Sequence, residues 1–423
     1  MPIVFTLFTL LIALFPVLTI QDGLPAQSLF AAFAALIIAA AGVAARAADA
    51  QFAAQVTRRL GLAAAIPVAW MVIQLLPMPS QLSHTVWVNG NDVLDQKAWG
   101  HISVDLGKTL EALVFYLANI ALILASILLA RDYQRAGRLL IILSAVTFLT
   151  VLALLTDRVF HLFALSAYPQ QGLGAASALG LVLSLAVGAL GLERGAQAKK
   201  SSRTFLFASA GGIIICTAGL AAAANINLAV VAAFGAVTFL SIQLARSLQL
   251  NSWTIAVLLA TLLAAATMIV IWRFDPDRPL SPLLNFATST PTNPLAVAQR
   301  LLGDTGWFGA GAGTYTVLLP IYQDFGEAAV QLPSSAAVLV VGLGLPVVLI
   351  AVGIGLWLIV RLYGGALARG RDSFYAAAAA SGAVILLGEA FCDTSLLQAG
   401  IAGTGSVLIG IGLAQSVSRV DKA

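Results

Sequence analysis

Glu389 and Asp393 are two carboxylates four residues apart, close to the end of a long apolar run. A helix continuing through Asp393 puts both on one face, and a carboxylate inside an apolar span is costly enough to bury that it marks a functional candidate. Such a pair can take a proton from a hydroxyl as a general base, or stay protonated and hydrogen-bonded as a structural tie. His84, His101 and His161 are scattered, and no histidine follows His161. No metal-ligand spacing exists, so no metal and no cofactor is expected. Cys216 and Cys392 read as small apolar packing residues, bridged only if the fold brings them together.

The second pattern is Leu301 to Tyr315, LLGDTGWFGAGAGTY, where Gly309, Gly311 and Gly313 alternate with small apolar residues ahead of an aromatic. Alternating glycines let a backbone approach another surface closely. A phosphate-cradling loop wants a strand before it and Lys-Ser after it, and neither is present. Two readings remain: a turn that packs an interfacial helix on a bundle, or a shaped wall of a binding site. Just upstream, LAVAQRLL (Leu295 to Leu302) has the pattern of a short amphipathic helix carrying Arg300.

The elements that must position these residues are membrane helices. Of 423 residues, 60% are hydrophobic and 9% charged, with mean hydropathy +0.97, which fits an all-α polytopic membrane protein. Taking about 20 apolar residues per crossing, about twelve spans are expected: 3–20, 27–46, 60–77, 108–130, 139–156, 172–192, 205–223, 227–246, 254–272, 335–360, 374–392 and 398–416. The first is read as a retained span, since it lacks a positive n-region and a convincing cleavage site. Residues 1–423 form a single membrane domain with two long external segments, 78–107 and 273–334.

Charge placement supports this count. With the N-terminus inside, most Lys and Arg residues fall in inside segments, among them Arg58, Arg59, Arg131, Arg194, Arg246 and Arg361, while most acids fall outside. The expectation is a bacterial inner-membrane protein with both termini cytoplasmic. The net charge of +4 then reports topology and membrane lipids as surroundings. No nucleic-acid partner is expected, because the basic residues are dispersed without aromatic interleaving.

Three phrases resemble the O-antigen ligase and surface-polysaccharide polymerase superfamily. Gln74-Leu75-Leu76-Pro77-Met78-Pro79 looks like the Pro-containing turn ending the third span. Ser103 and Asp105 with Thr109 look like the pattern preceding the next one. Phe308-Gly309-Ala310-Gly311-Ala312-Gly313-Thr314-Tyr315 matches the glycine phrase of the large periplasmic loop. The resemblance implies surface-polysaccharide assembly. If the chain is catalytic, the resemblance implies a glycosyltransferase moving a polyprenyl-linked glycan to an acceptor without metal or nucleotide, with a protein partner of a glycan-assembly complex as a further expectation.

Transfer from a polyprenyl diphosphate needs cations at the leaving group; Arg300, Arg273 and Arg278 are available, with Gly309, Gly311, Gly313 and Tyr315 as walls. The family's loop ends in a His-Asn pair, and this chain has Gln331-Leu332-Pro333-Ser334-Ser335 there. An expected loop arginine and a Ser-Arg-Gly are missing too. The base must then be Glu389, Asp393 or His161. Two rival expectations are a non-catalytic scaffold subunit and a secondary transporter using Glu389 and Asp393 as a proton relay.

Overall fold

The computed structural model describes residues 1–21, 23–79, 81, 83–94, 99–160, 169–195, 199–247, 292–305, 307–322, 332–369 and 372–416. Among them the chain is all-α, with no strand beyond an isolated bridge between Met78 and Gly100. The helices are α1 (Pro2–Ile20), α2 (Leu24–Ala44), α3 (Ala47–Leu75), α4 (Thr85–Leu94), α5 (Leu106–Leu129), α6 (Tyr133–Phe160), α7 (Pro169–Gly195), α8 (Lys199–Ala223) and α9 (Ile226–Ser247). After the segment 248–291 come α10 (Thr292–Thr305), α11 (Tyr315–Tyr322), α12 (Ser335–Leu343), α13 (Leu345–Ala368), α14 (Ser373–Cys392) and α15 (Ala399–Ser416).

Eleven of these helices are long and apolar enough to cross a membrane. They match eleven of the twelve expected spans, and the other, 254–272, lies outside the described residues. The short connection at Asn225 is a true turn: Ala224 takes φ +53° and separates α8 from α9.

The expected span 335–360 is corrected. Its apolar run breaks at Gly344, φ +86°, into the short α12 and the spanning α13. A side chain at Gly344 would strike the Trp307 carbonyl, and Pro346 enters α13 in its first turn. Close packing thus fixes the break, where hydropathy alone carries straight through.

Small residues decide which helices are central. The apolar windows of α7, α14 and α15 are 89%, 67% and 89% buried, against 17% for both α3 and α13. The central three are rich in Ala, Gly and Ser, which lets backbones approach without relying on a hydrophobic driving force that lipid does not supply. Gly412 of α15, for example, packs where a side chain would collide with Ala379 of α14. The outer helices instead present Leu62, Ile66, Leu349 and Leu356 outward, as lipid-facing spans do.

Arginines gather at one end of the bundle. Arg131 pairs with Asp49 and lies over Phe52, Arg361 donates to the Val56 carbonyl at 2.9 Å, Arg369 to Gln415 Oε1 at 2.8 Å, and Arg246 to Ser373. At the other end α10, α11 and α12 form a small core of their own, with Val297, Leu301, Tyr315, Leu318 and Val341 buried together and Leu397 against them.

Candidate functional site

The opposite end from the arginines holds two polar constructions. The first begins where α14 stops. Helix does not continue through Asp393 as the four-residue spacing supposed: the last helical residue is Cys392, and Asp393 is extended at φ −155°, although its N–H still reaches the Glu389 carbonyl at 3.2 Å. The two carboxyls meet because the chain then folds back in a single 3₁₀ turn, Ser395–Leu397. Ser395 Oγ donates to Glu389 Oε1 at 2.7 Å and also contacts Asp393 Oδ1, to which the Ser395 N–H donates at 3.0 Å.

A hydroxyl has one proton to give. It goes to Glu389 Oε1, while the N–H of the same residue serves Asp393 Oδ1. The pair is therefore joined through one residue, Ser395. It is also enclosed: Glu389 and Ser395 are 0% exposed and Asp393 7%. Burial pushes the Asp393 carboxyl, just beyond the helix, up to about 6. Glu389 Oε2 is buried with no hydrogen-bond partner among the described residues.

The residues that lead into α12 dock on the main chain beside this pair. Ser334 caps α12 by accepting from the Ala337 N–H at 3.2 Å, and Ser335 donates through both N–H (2.7 Å) and Oγ (2.9 Å) to the Asp393 carbonyl. Ser334 and Ser335 close the phrase that stands where the resembling family carries His-Asn. The start of α12 is thus tied to the backbone of Asp393, the residue that ends α14.

The second construction is a knot of four segments. The glycine phrase 309–313 runs along the α12–α13 break: Ala310 N–H donates to Val341 O at 2.8 Å and Gly311 N–H to Gly342 O at 3.0 Å. On its other flank Val104 N–H donates to Ala310 O at 2.8 Å, and Thr109 Oγ1 to Ala312 O at 3.1 Å. Gln74 closes the knot. Its Nε2 reaches Gly342 O at 2.9 Å and its Oε1 accepts from Ala312 N–H at 3.2 Å.

The glycines are needed here for two reasons. Gly309, Gly311 and Gly313 have φ of +72°, +109° and +77°. Added side chains would lie 2.5 Å from Gly342 O, 2.8 Å from Ser103 Cβ and 2.9 Å from Lys108 O. All three phrases that carry the family resemblance thus meet in one hydrogen-bonded unit.

Tyr315 is buried beneath α10, its hydroxyl enclosed without a partner among the described residues, and burial pushes the phenol up. Arg300 lies exposed on α10, whose buried side is Val297 and Leu301; LAVAQRLL is helical as its pattern suggests. Arg273, Arg278 and His161 lie outside the described residues. Cys216 and Cys392 are separate buried thiols. Sequence reasoning missed Ser395 and Ser335. The run Asp393-Thr394-Ser395 was the available signal, since such residues hydrogen-bond locally and end helices. No family model and no curated protein matches this chain.

Proposed function

We propose that the chain acts in bacterial cell-surface polysaccharide assembly as an O-antigen ligase- or polymerase-like protein of the inner membrane, with Asp393 and Glu389 as its proton-handling pair. The observation that carries the reading is the docking of Ser335 on Asp393, which joins the end of the external segment to the only carboxylate pair bridged by a hydroxyl among the described residues. The convergence of Gln74, Ser103 and the glycine phrase supports it further, because the three resembling phrases work as one unit.

In this reading the acceptor hydroxyl attacks the anomeric carbon of the lipid-linked sugar and the bond to the diphosphate breaks. The proton goes to Asp393, and the charge left on the diphosphate is met by arginines of the external segment. A base serves best with a pKa near the working pH, and a carboxyl raised to about 6 meets that condition. The test is deletion of the gene and complementation with Asp393→Asn, Glu389→Gln or His161→Ala, read as surface-glycan length on gels. Loss of long chains with at least one variant supports catalysis. Full restoration by all three, with loss on deletion, favours a scaffold subunit.

A proton-coupled transporter is the second reading, favoured by a helix broken at Gly344 whose first half, α12, starts against Asp393; broken helices are a device transporters use at their binding sites. Proton uptake by vesicles carrying the purified protein under an imposed solute gradient separates the two.

A further inference from the structure

A basic groove opens at the arginine end of the bundle, between α3 and α13, with a volume of about 920 Å³. Arg58, Arg59 and Arg361 line it with Thr57, Leu62 and Trp357, and no carboxylate does. Arg361 is held in place: Nη2 donates to Val56 O at 2.9 Å and the guanidinium lies 5.5 Å from the Trp357 ring centroid. Its Nη1 is buried and has no hydrogen-bond partner among the described residues. A fixed guanidinium with an unused donor, beside two further arginines, is a site short of an anion.

Its depth and its open side identify the source of that anion. Arg59 is about 22 Å along α3 from Gln74, and Arg361 about 24 Å along α13 from Leu345, at 1.5 Å per residue. Across a hydrocarbon layer of about 30 Å, the groove therefore lies at the rim opposite the knot. α3 and α13 are the two least buried spans, and Leu62, Leu356 and Val360 beside the groove are 75%, 53% and 69% exposed. The groove faces lipid sideways, with apolar walls below cationic heads, and Trp357 sits where indoles favour the membrane interface.

We infer that this groove binds the phosphate headgroup of an anionic phospholipid, with Arg58, Arg59 and Arg361 on the phosphate and Leu62 and Trp357 along an acyl chain. Basic pockets between membrane helices suit such headgroups. The site is independent of the proposed glycan activity, and either can fail without the other.

Thermal unfolding of the purified full-length protein in detergent tests it, with added phosphatidylglycerol, phosphatidylcholine or inorganic phosphate. Phosphatidylglycerol raises the melting temperature and the other two do not. Arg361→Gln loses the bond to Val56 as well as a charge, so the decisive variant is Arg58→Gln with Arg59→Gln, two exposed side chains. That double variant needs roughly 30-fold more phosphatidylglycerol for the same shift, at about 1 kcal/mol per arginine near the surface. An equal shift with phosphatidylcholine, an equal shift with phosphate alone, or an unchanged titration in the double variant overturns the inference.

Discussion

The side chain of Gln74 and the carbonyl of Gly342, 268 residues apart in sequence, are joined by a 2.9 Å hydrogen bond that fixes the end of α3 to the break between α12 and α13. Gln74 is 0% exposed, so neither group has water as an alternative partner. This one amide ties the α12–α13 break and the glycine phrase to the end of α3.

Gln74→Leu is therefore expected to destabilise the protein. The Gly342 carbonyl keeps the Gly311 N–H at 3.0 Å, but the buried Ala312 N–H loses the Gln74 side chain, and an unsatisfied buried group costs about 1–3 kcal/mol. A melting temperature in detergent clearly below that of the parent is the expected result. An unchanged value would show that the bond is dispensable.

Two glycine substitutions should part company. Gly311→Ala forces a side chain into a backbone at φ +109° and against Ser103, and should reduce the yield of folded protein sharply. Gly353→Ala, on α13 with nothing within 4 Å of the new methyl, should be neutral or stabilising by about 0.5–1 kcal/mol as in any helix interior. Size-exclusion profiles of the two variants check both expectations.

The buried Asp393 sets a direction for pH dependence. Its folded pKa, about 6, lies above the ordinary aspartate value of about 3.9, so the folded state binds the proton more tightly than the unfolded one. The stability this contributes is complete below the unfolded value and is lost as pH rises through 6. Melting temperature should fall between pH 4 and 7 and level off above, with a shallower slope in Asp393→Asn. A rise over that range would contradict the enclosure of this carboxyl.

Orientation can be read by labelling. Cys216 and Cys392 are 0% and 2% exposed, so the parent should react little with a membrane-impermeant maleimide. Trp99→Cys, 69% exposed in the parent and at the knot end, should label on intact spheroplasts. Val43→Cys, 91% exposed at the arginine end, should label only after permeabilisation. The opposite pattern would invert the topology.

The helical bundle was legible because each span is an uninterrupted apolar run, and burial then follows from which runs are rich in Ala and Gly. The break at Gly344 was not, because residues 335–360 are apolar on both sides of it and nothing local shows what packs against the glycine. Glu389 and Asp393 were found by spacing, yet the helix that spacing assumed ends between them. The true link, Ser395, depends on a backward turn that no periodicity encodes. The glycine phrase announced a close approach, while its opposing surface, Ser103 and Gln74, became visible only once three distant segments met.

Chain order gives the knot a consequence in time. Bonds from Trp70 to Leu343 and from Gln74 to Gly342 link residues 273 and 268 positions apart. At about 5–20 residues per second of synthesis, roughly 13–55 s separate the emergence of the two halves. During that interval the first spans are already in the bilayer with the amide of Gln74 unmatched. A ribosome stalled before residue 340 therefore leaves behind a membrane fragment with an unanswered polar group at its rim, a feature by which a quality-control protease could tell an unfinished chain from a finished one.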